Sequence, residues 1–188
     1  MKVNSMNNFD FNNYQYDTSA YEDRTLHDLL HQSRRNLDDL IRLINRLFDY
    51  HSRLLVIRLN LSYNPEVAHS IPLEYAQRHR NLLLNYRRNY PDVYEGLLGF
   101  AWNFEKSEES GGYHYHMLFL FDGSVRRDDI SVGQAIGNLW YSITEGYGMC
   151  NISNFDKRKF EINGTLGIGM IHRFDVQKRI NLIERVAP

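Results

Sequence analysis

The segment from Gly111 to Gly123 constrains the possible folds of this chain more than any other stretch of its sequence. Aromatic and aliphatic residues run between two glycine-containing turns, a composition that predicts a β-strand. Side chains alternate between the two faces of a strand, so four of them share an apolar face: Tyr115, Met117, Phe119 and Phe121. His114 and His116 share the opposite face, and their imidazoles point the same way.

The two histidines on one strand face form a candidate metal site, because neutral imidazole is a common metal ligand. The alternative interpretation is that the pair binds nothing, which holds for most His-x-His pairs. A third metal-ligating side chain nearby would therefore favour a metal site over a pair that binds nothing.

The stretch 95–105, just before the histidine strand, also alternates and predicts a second strand. Its apolar face is formed by Leu98, Phe100, Trp102 and Phe104, and Glu105 lies on the other face. The polar, glycine-containing loop at 106–112 suits a hairpin, so Glu105 is expected beside His114 and His116 on an adjacent antiparallel strand. Glu105 is therefore the candidate third metal ligand, with a loop-end charge or a salt bridge to a nearby basic residue as the alternative.

The order of the predicted elements gives an α+β fold. The patterns predict, in chain order, a helix at about 20–50, a strand at 53–62, a helix from Ser70 to about Tyr90, the two hairpin strands, a helix at about 129–145, a strand at Met149–Asn154, a basic turn at 157–159, an extended region at 160–174 and a short helix capped by Asp175. This order is that of an antiparallel sheet of the ferredoxin or RRM kind. Helices are expected on the aromatic face only, which leaves the histidine face open, and the helix at 20–50 is an addition to this fold.

The chain of 188 residues has the length of one domain with a tail. Residues 1–20 are rich in Asn, Tyr and Asp without any period, which predicts a flexible tail. Residues 21–188 are expected to form a single domain that includes the appended helix.

The net charge of −1 gives no overall electrostatic signal for nucleic acid, so any DNA contact must use local patches. The candidate DNA-binding residues are Arg58 and Asn60 on the open face, Arg80, Arg87 and Arg88 in the second helix, and Lys157 and Arg158 in the basic turn. Ordinary solvated surface charge is the alternative interpretation of the basic residues in this set.

The cellular compartment can be inferred from what the sequence contains. The single cysteine, Cys150, excludes an intrachain disulfide and is typical of a reducing compartment. The polar N-terminal residues lack the pattern of a signal peptide, and no apolar run approaches ~18 residues. We therefore expect a soluble, cytoplasmic protein without a membrane partner.

Four ordered motifs resemble the replication initiators of the HUH endonuclease class, which act in rolling-circle replication. The motifs are Leu55–Leu61 (LVIRLNL), Trp102 with Glu105, Gly112–Gly123 (GYHYHMLFLFDG), and Trp140 followed by Thr144-x-Gly146-x-Gly148 and Asn151. The similarity is greatest to the replication proteins of filamentous, inovirus-type phages and their prophage-encoded relatives, and it covers about residues 50–188. It implies a role in the cytoplasm of a bacterial host cell.

The resemblance also implies a metal-dependent reaction on single-stranded or hairpin DNA. His114, His116 and Glu105 would hold Mg²⁺ or Mn²⁺, which polarises the scissile phosphate, and imidazole ligands favour Mn²⁺ in affinity. A tyrosine would then attack the phosphorus, form a 5′-phosphotyrosine link and free a 3′-OH. The roles given to these residues are what the resemblance to the family implies.

The nucleophile departs from the family pattern. Members carry the catalytic tyrosine on a C-terminal helix, whereas no tyrosine follows Tyr147 in this sequence. We expect that the chain is truncated before the nucleophile or is a variant that lost it. Tyr141 and Tyr147 are the nearest candidates within the sequence, and structural roles suit both of them better.

Two main functions follow from these expectations. The first is metal-dependent nicking and joining of single-stranded DNA in phage or prophage replication. The second is a non-catalytic module of a mobile element that binds DNA or inhibits host proteins of replication or defence. A third interpretation keeps the metal and uses water as the nucleophile.

Overall fold

The structure, a computed structural model, describes residues 26–107 and 112–186. Its helices and strands are α1 Leu26–Tyr50, β1 Arg53–Tyr63, α2 Pro65–Ala68, α3 Leu73–Asn85, α4 Pro91–Tyr94, β2 Leu97–Lys106, β3 Tyr113–Asp122, α5 Asp129–Ile143, β4 Gly148–Ile152, α6 Lys157–Ile162, β5 Gly169–His172 and α7 Val176–Asn181. Two 3₁₀ turns at Tyr86–Arg88 and Ser153–Asp156 and a π-helical turn at Leu182–Val186 complete the described elements. The tail predicted at 1–20 lies outside the described residues, and the chain divides into two units, Met1–Asp38 and Asp39–Pro188.

A five-stranded antiparallel sheet confirms the α+β class. Four strands follow the order β2-β3-β1-β4, and β5 also pairs with β1. Strand β1 is therefore central: β3 lies along one of its edges, while β4 and β5 share the other. Strand β4 pairs with residues 59–63 of β1 and β5 with residues 53–56.

The side chain of Asn154 fills the gap between β4 and β5 on the edge of β1. Its Oδ1 accepts from the backbone N–H of Arg58 at 3.0 Å, and its Nδ2 donates to the carbonyl of Val56 at 2.9 Å. The same Nδ2 donates to Oδ2 of Asp129 at 2.7 Å. A fully buried amide thus satisfies two backbone groups of β1 at the junction between the segments that pair with β5 and β4.

The aromatic face of the sheet forms the main core. The inward side chains of β1 and β3 have exposures of 0–1%: Leu55, Ile57, Leu59, Leu61, Tyr115, Met117, Phe119 and Phe121. Helix α5 lies against them, because a β-carbon at Gly133 would contact Leu59 and the indole of Trp140 donates to the carbonyl of Ser62 at 2.9 Å. Burying each large apolar side chain contributes about 1.5–3 kcal/mol.

The second face of the sheet is covered over part of its length, which corrects the expectation that helices lie on one face only. Leu54, Val56, Leu118 and Leu120 alternate with the aromatic-face residues and have exposures of 0%. A β-carbon at Gly99, on this same face, would lie 3.2 Å from Cδ2 of Leu43 in α1. This second face packs against a buried apolar stripe on the C-terminal half of α1. The stripe is formed by Leu40, Leu43, Ile44, Leu47 and Phe48.

Other segments differ from the predictions at their ends. The basic segment predicted as a turn at 157–159 is the first turn of helix α6, which ends before Gly164, a residue with φ of +68°. Within the region predicted as extended at 160–174, only Gly169–His172 forms a strand. Ser70 does not cap α3, since its hydroxyl donates to the carbonyl of Val67 instead. None of the described helices is both long enough and apolar enough to cross a membrane.

Candidate metal centre

The hairpin of β2 and β3 brings the three predicted metal ligands together. Glu105 pairs directly with His114 across the two strands, and His116 lies two residues further on the same face. Oε2 of Glu105 is 3.1 Å from Nε2 of His114 and 3.2 Å from Nε2 of His116. One donor atom from each residue lies within 4.8 Å of the other two, a separation that a single cation can bridge.

Aromatic packing on the opposite face holds the hairpin in this register. Phe104 stacks on Tyr113 with ring centroids 5.1 Å apart and contacts Tyr115 at 4.8 Å. Since a slip of one residue would turn every side chain to the other face, burial of Tyr115 fixes the side on which the histidines emerge. The backbone N–H of Ser107 donates to the carbonyl of Gly112 at 2.9 Å and closes the ladder beyond Glu105.

Two asparagines orient the candidate ligands. Nδ1 of His116 lies 2.8 Å from Oδ1 of Asn60, and Nδ2 of Asn103 donates to Oε1 of Glu105 at 3.0 Å. Asn60 and Asn103 are the residues of β1 and β2 that pair directly with His116, so all three lie in one row across the sheet. Metal-ligating histidines and carboxylates commonly have such partners, which fix the ring orientation and strengthen the ligand.

The distances from Glu105 to the two histidines suit either a proton or a cation between the donor atoms. In the neutral form of His116 with Nδ1 donating to Asn60, Nε2 carries a lone pair that faces the oxygen of Glu105. Two acceptors at this distance repel unless a proton or a cation lies between them. Two imidazole nitrogens and one carboxylate oxygen form a donor set suited to divalent metals such as Mn²⁺.

Glu105 is ionised and reachable from solvent. Burial alone would raise the pKa of Glu105, but hydrogen bonds and positive charge, first from His116 and then from His114, lower the pKa below its usual value. The side chain of Glu105 is 48% exposed, and those of His114 and His116 are 25% and 23% exposed. All three side chains are therefore partly accessible from solvent.

Arg58 lies on the same face as the cluster. It precedes Asn60 by two residues on β1, and its Nε is buried without a hydrogen-bond partner in the described part of the chain. It lines a cavity of about 190 Å³ beneath α6 and the π-helical turn. Burial lowers the pKa of Arg58.

The predicted DNA-binding residues of the second helix lie on the other side of the sheet. Arg80 is only 7% exposed, its guanidinium lies 4.2 Å from the ring of Trp102, and it donates to Oδ1 of Asn81. Arg87 is exposed and lies over the ring of Phe100 at 5.4 Å. Because Trp102 and Phe100 belong to the aromatic face, this group is separated from the histidines by the sheet.

Of the three basic residues in α6, Lys157 is tied to α5, whereas Arg158 and Lys159 are exposed. Nζ of Lys157 forms an ion pair with Oδ1 of Asp129 at 2.8 Å, which ties α6 to the start of α5. Arg158 is exposed and lines a shallow cleft beside the exposed ring of Phe155. Arg88, in the 3₁₀ turn after α3, is also exposed.

The two candidate nucleophiles differ in position. Tyr141 lies on α5, which covers the aromatic face, so the sheet stands between it and the cluster. Tyr147, 49% exposed, lies in the turn just before β4. The first residue of β4 pairs with Tyr63, at the end of the sheet that also carries Glu105 and His114.

Sequence reasoning missed one component of the cluster and gave another a different role. Asn103 was not predicted as a site residue, although its position two residues before Glu105 places it on the same strand face. Asn60 was predicted to contact DNA, whereas the structure shows its side chain bonded to His116. Only the pairing of β1 with β3 reveals that contact.

A comparison with known protein families gives a match over most of the chain. Residues 17–162 match the family model described as the YagK/YfjJ C-terminal domain, a range that contains Glu105, His114, His116 and both asparagines. No curated protein and no solved structure matches the chain.

Proposed function

We propose that this chain, which belongs to the YagK/YfjJ C-terminal domain family, binds a divalent cation at Glu105, His114 and His116 and uses it to nick and rejoin single-stranded DNA. The observation that carries the proposal is the convergence of both histidine Nε2 atoms on one oxygen of Glu105. The four ordered sequence motifs also support the proposal, because they resemble those of HUH-class initiators of phage and prophage replication. In this proposal the partner is single-stranded or hairpin DNA and the metal is Mn²⁺ or Mg²⁺.

The chemistry of the cluster supports a phosphoryl-transfer role. A divalent cation held there would supply the positive charge that stabilises negative charge on a scissile phosphate. Glu105, His114 and His116 would hold the cation, while Asn60 and Asn103 keep the ligands aimed at one point. The partial exposure of the cluster suits a polymeric substrate that lies across a sheet face.

The topology supports the same proposal. A helical connection joins β1 to β2, a hairpin joins β2 to β3, and α5 joins β3 to β4. This connectivity, with the strand order β2-β3-β1-β4, agrees with the split β-α-β arrangement of ferredoxin-like and RRM-like sheets. We propose that the core of the domain is of this type, with α1 and the segment after β4 added.

A phosphotyrosine mechanism requires a hydroxyl near the scissile phosphate. Tyr147 is the better of the two candidates, because it lies at the same end of the sheet as the cluster, whereas Tyr141 lies behind the sheet. Attack by its oxygen on the phosphorus would break the bond to the 3′-oxygen and leave a 3′-OH and a 5′-phosphotyrosine. Reversal of the step by a 3′-OH rejoins the strand.

The second candidate function is DNA binding without cleavage. The observation that favours it is that neither tyrosine has a hydrogen bond to Glu105, His114 or His116 among the described contacts. In that case the cluster and the exposed basic residues would hold DNA, and the biological role would be to block a replication or defence protein of the host.

One assay separates the two functions. The protein is incubated with Mn²⁺ and an end-labelled pool of hairpins with randomised single-stranded arms, and the products are resolved on denaturing gels. The enzymatic proposal expects a protease-sensitive covalent band that His114→Ala, His116→Ala and Glu105→Gln abolish. Tyr147→Phe and Tyr141→Phe identify the nucleophile.

His172→Ala is the matched control, since His172 is an exposed strand histidine on β5, outside the cluster. It should retain the covalent band. Cleavage without a covalent band would support water as the nucleophile. DNA binding that is equal in the wild type and in His116→Ala, with no cleavage, would overturn the enzymatic proposal and leave the binding function.

A further inference from the structure

A cavity of about 190 Å³ on the histidine face of the sheet has no assigned role in the proposed reaction. It lies between β1, helix α6 and the π-helical turn, and six residues line it: Arg58, Phe160, Thr165, Ile168, Arg185 and Val186. Two of the six are arginines, and the others offer an aromatic ring, a hydroxyl and aliphatic side chains. The cavity therefore combines a cationic part with an apolar part.

The positive charge of the two arginines in the cavity is not neutralised by an ion pair within the part of the chain that the structure describes. Neither Arg58 nor Arg185 has a carboxylate within ion-pair distance among residues 36–107 and 112–186, whose side chains the structure describes. Nε of Arg58 is buried and makes no hydrogen bond there. A buried guanidinium N–H without an acceptor costs free energy, and an anionic ligand that accepts from it would recover that cost.

The cavity adjoins the candidate metal centre along β1. Arg58 and Asn60 lie on the same face and are two residues apart, which is about 7 Å along a strand. Asn60 in turn contacts His116. The separation is comparable to that between successive phosphates of an extended single strand.

We propose that this cavity is a nucleotide-binding pocket for single-stranded DNA, in which Arg58 and Arg185 bind a phosphate and Phe160 contacts the base. Arginine donors match phosphate oxygens, and an aromatic ring accepts any base by stacking. In a bound DNA strand, the phosphate in this pocket would be the neighbour of the scissile phosphate at Glu105, His114 and His116. To that extent the inference rests on the proposed function. The ligand class itself, a nucleoside phosphate, follows from the lining residues alone.

The test measures binding of dTMP to the full chain by isothermal titration calorimetry in EDTA. We expect Arg58→Gln and Arg185→Gln each to weaken dTMP binding at least fivefold, while Arg127→Gln, at an exposed arginine just before α5, leaves it unchanged. Thymidine and inorganic phosphate should each bind more weakly than dTMP, because each supplies only half of the contacts. Arg185 is exposed, so its replacement tests the pocket even if Arg58→Gln fails to fold.

The outcomes for the pocket and for the proposed function are distinguishable. Equal dTMP affinity in the wild type and in Arg185→Gln, or no dTMP binding by the wild type, overturns the pocket whatever the cleavage assay shows. Loss of dTMP binding in both arginine variants supports the pocket even if the wild type neither binds Mn²⁺ nor cleaves DNA. In a protein that does cleave, the same variants should lower affinity for an oligonucleotide and leave Mn²⁺ affinity unchanged.

Discussion

Nδ1 of His116 lies 2.8 Å from Oδ1 of Asn60, across the paired strands β3 and β1. In the neutral ring with Nδ1 donating to the amide oxygen, Nε2 is the lone-pair atom that faces Glu105, whereas in the protonated ring both nitrogens donate. The central strand of the sheet thereby orients a candidate metal ligand that belongs to its neighbour.

Replacing Asn60 with alanine should weaken Mn²⁺ binding about 10- to 100-fold, because His116 loses the acceptor that holds its ring and its tautomer. The affinity can be measured by calorimetry. Asn151→Ala is the matched control, since Asn151 pairs with Asn60 in the same row of the sheet but on the side away from His116. If both variants bind Mn²⁺ as the wild type does, Asn60 does not orient a metal ligand.

Binding of a metal should stabilise the fold, and a chelator should remove that stabilisation. A ligand that binds only the folded state at about 100 times its Kd adds about 2.7 kcal/mol to the free energy of unfolding. We expect this gain for the wild type in Mn²⁺, measured by urea unfolding, and its loss in EDTA. His114→Ala should show no gain, and an equal gain in that variant would mean that Mn²⁺ binds elsewhere.

The candidate ligands could be predicted from sequence because their arrangement is local. Alternation along a strand has a period of two, so the faces of Glu105, His114 and His116 follow once the two strands are recognised. A short loop then makes the strands antiparallel neighbours, and the register observed brings Glu105 opposite His114. No information from distant parts of the chain is needed for these steps.

The surroundings of the cluster could not be predicted because they depend on distant contacts. The apolar stripe of helix α1 is visible in the sequence, but the sequence does not show which face of the sheet it packs against. In the structure, Leu43 lies against the histidine face at Gly99. The contacts of Asn154 with β1 join residues about 100 positions apart. The cavity beside Arg58 likewise forms only when α6 and the π-helical turn pack over β1.

Acid should weaken the fold through Asp122. Burial would raise the pKa of Asp122, but the backbone N–H of Ser124, at 2.7 Å, and the charge of His51, at 3.0 Å, outweigh it and lower the pKa. With a lower pKa in the folded state, the unfolded chain binds more protons, so this contribution is present above the ordinary carboxylate pKa and is lost as the pH falls through the folded-state value.

Asp122→Asn should therefore flatten the acid side of the stability profile, measured by urea unfolding between about pH 6 and about pH 2.5. The variant loses stability at neutral pH and converges with the wild type in acid. Asp92→Asn, at an exposed position in the first turn of α4, is the control and should leave the profile unchanged. Parallel profiles for the wild type and Asp122→Asn would contradict the prediction.

Asn154→Ala should cost about 3 kcal/mol of unfolding free energy, since it leaves the N–H of Arg58 and the carbonyl of Val56 buried without partners. It also removes a donor from Asp129, whose carboxylate would then rely on Lys157. Chemical denaturation measures the loss, and Asn151→Ala, an exposed position on β4, should change stability by less than about 0.5 kcal/mol. Asn154→Asp tests the oxygen and the nitrogen of the side-chain amide separately. This variant keeps the acceptor for the N–H of Arg58 but loses the donor to the carbonyl of Val56. It also places a second carboxylate beside Asp129. It should therefore be at least as unstable as the alanine variant, and wild-type stability in either variant would mean that water satisfies the edge of β1 in place of the side chain.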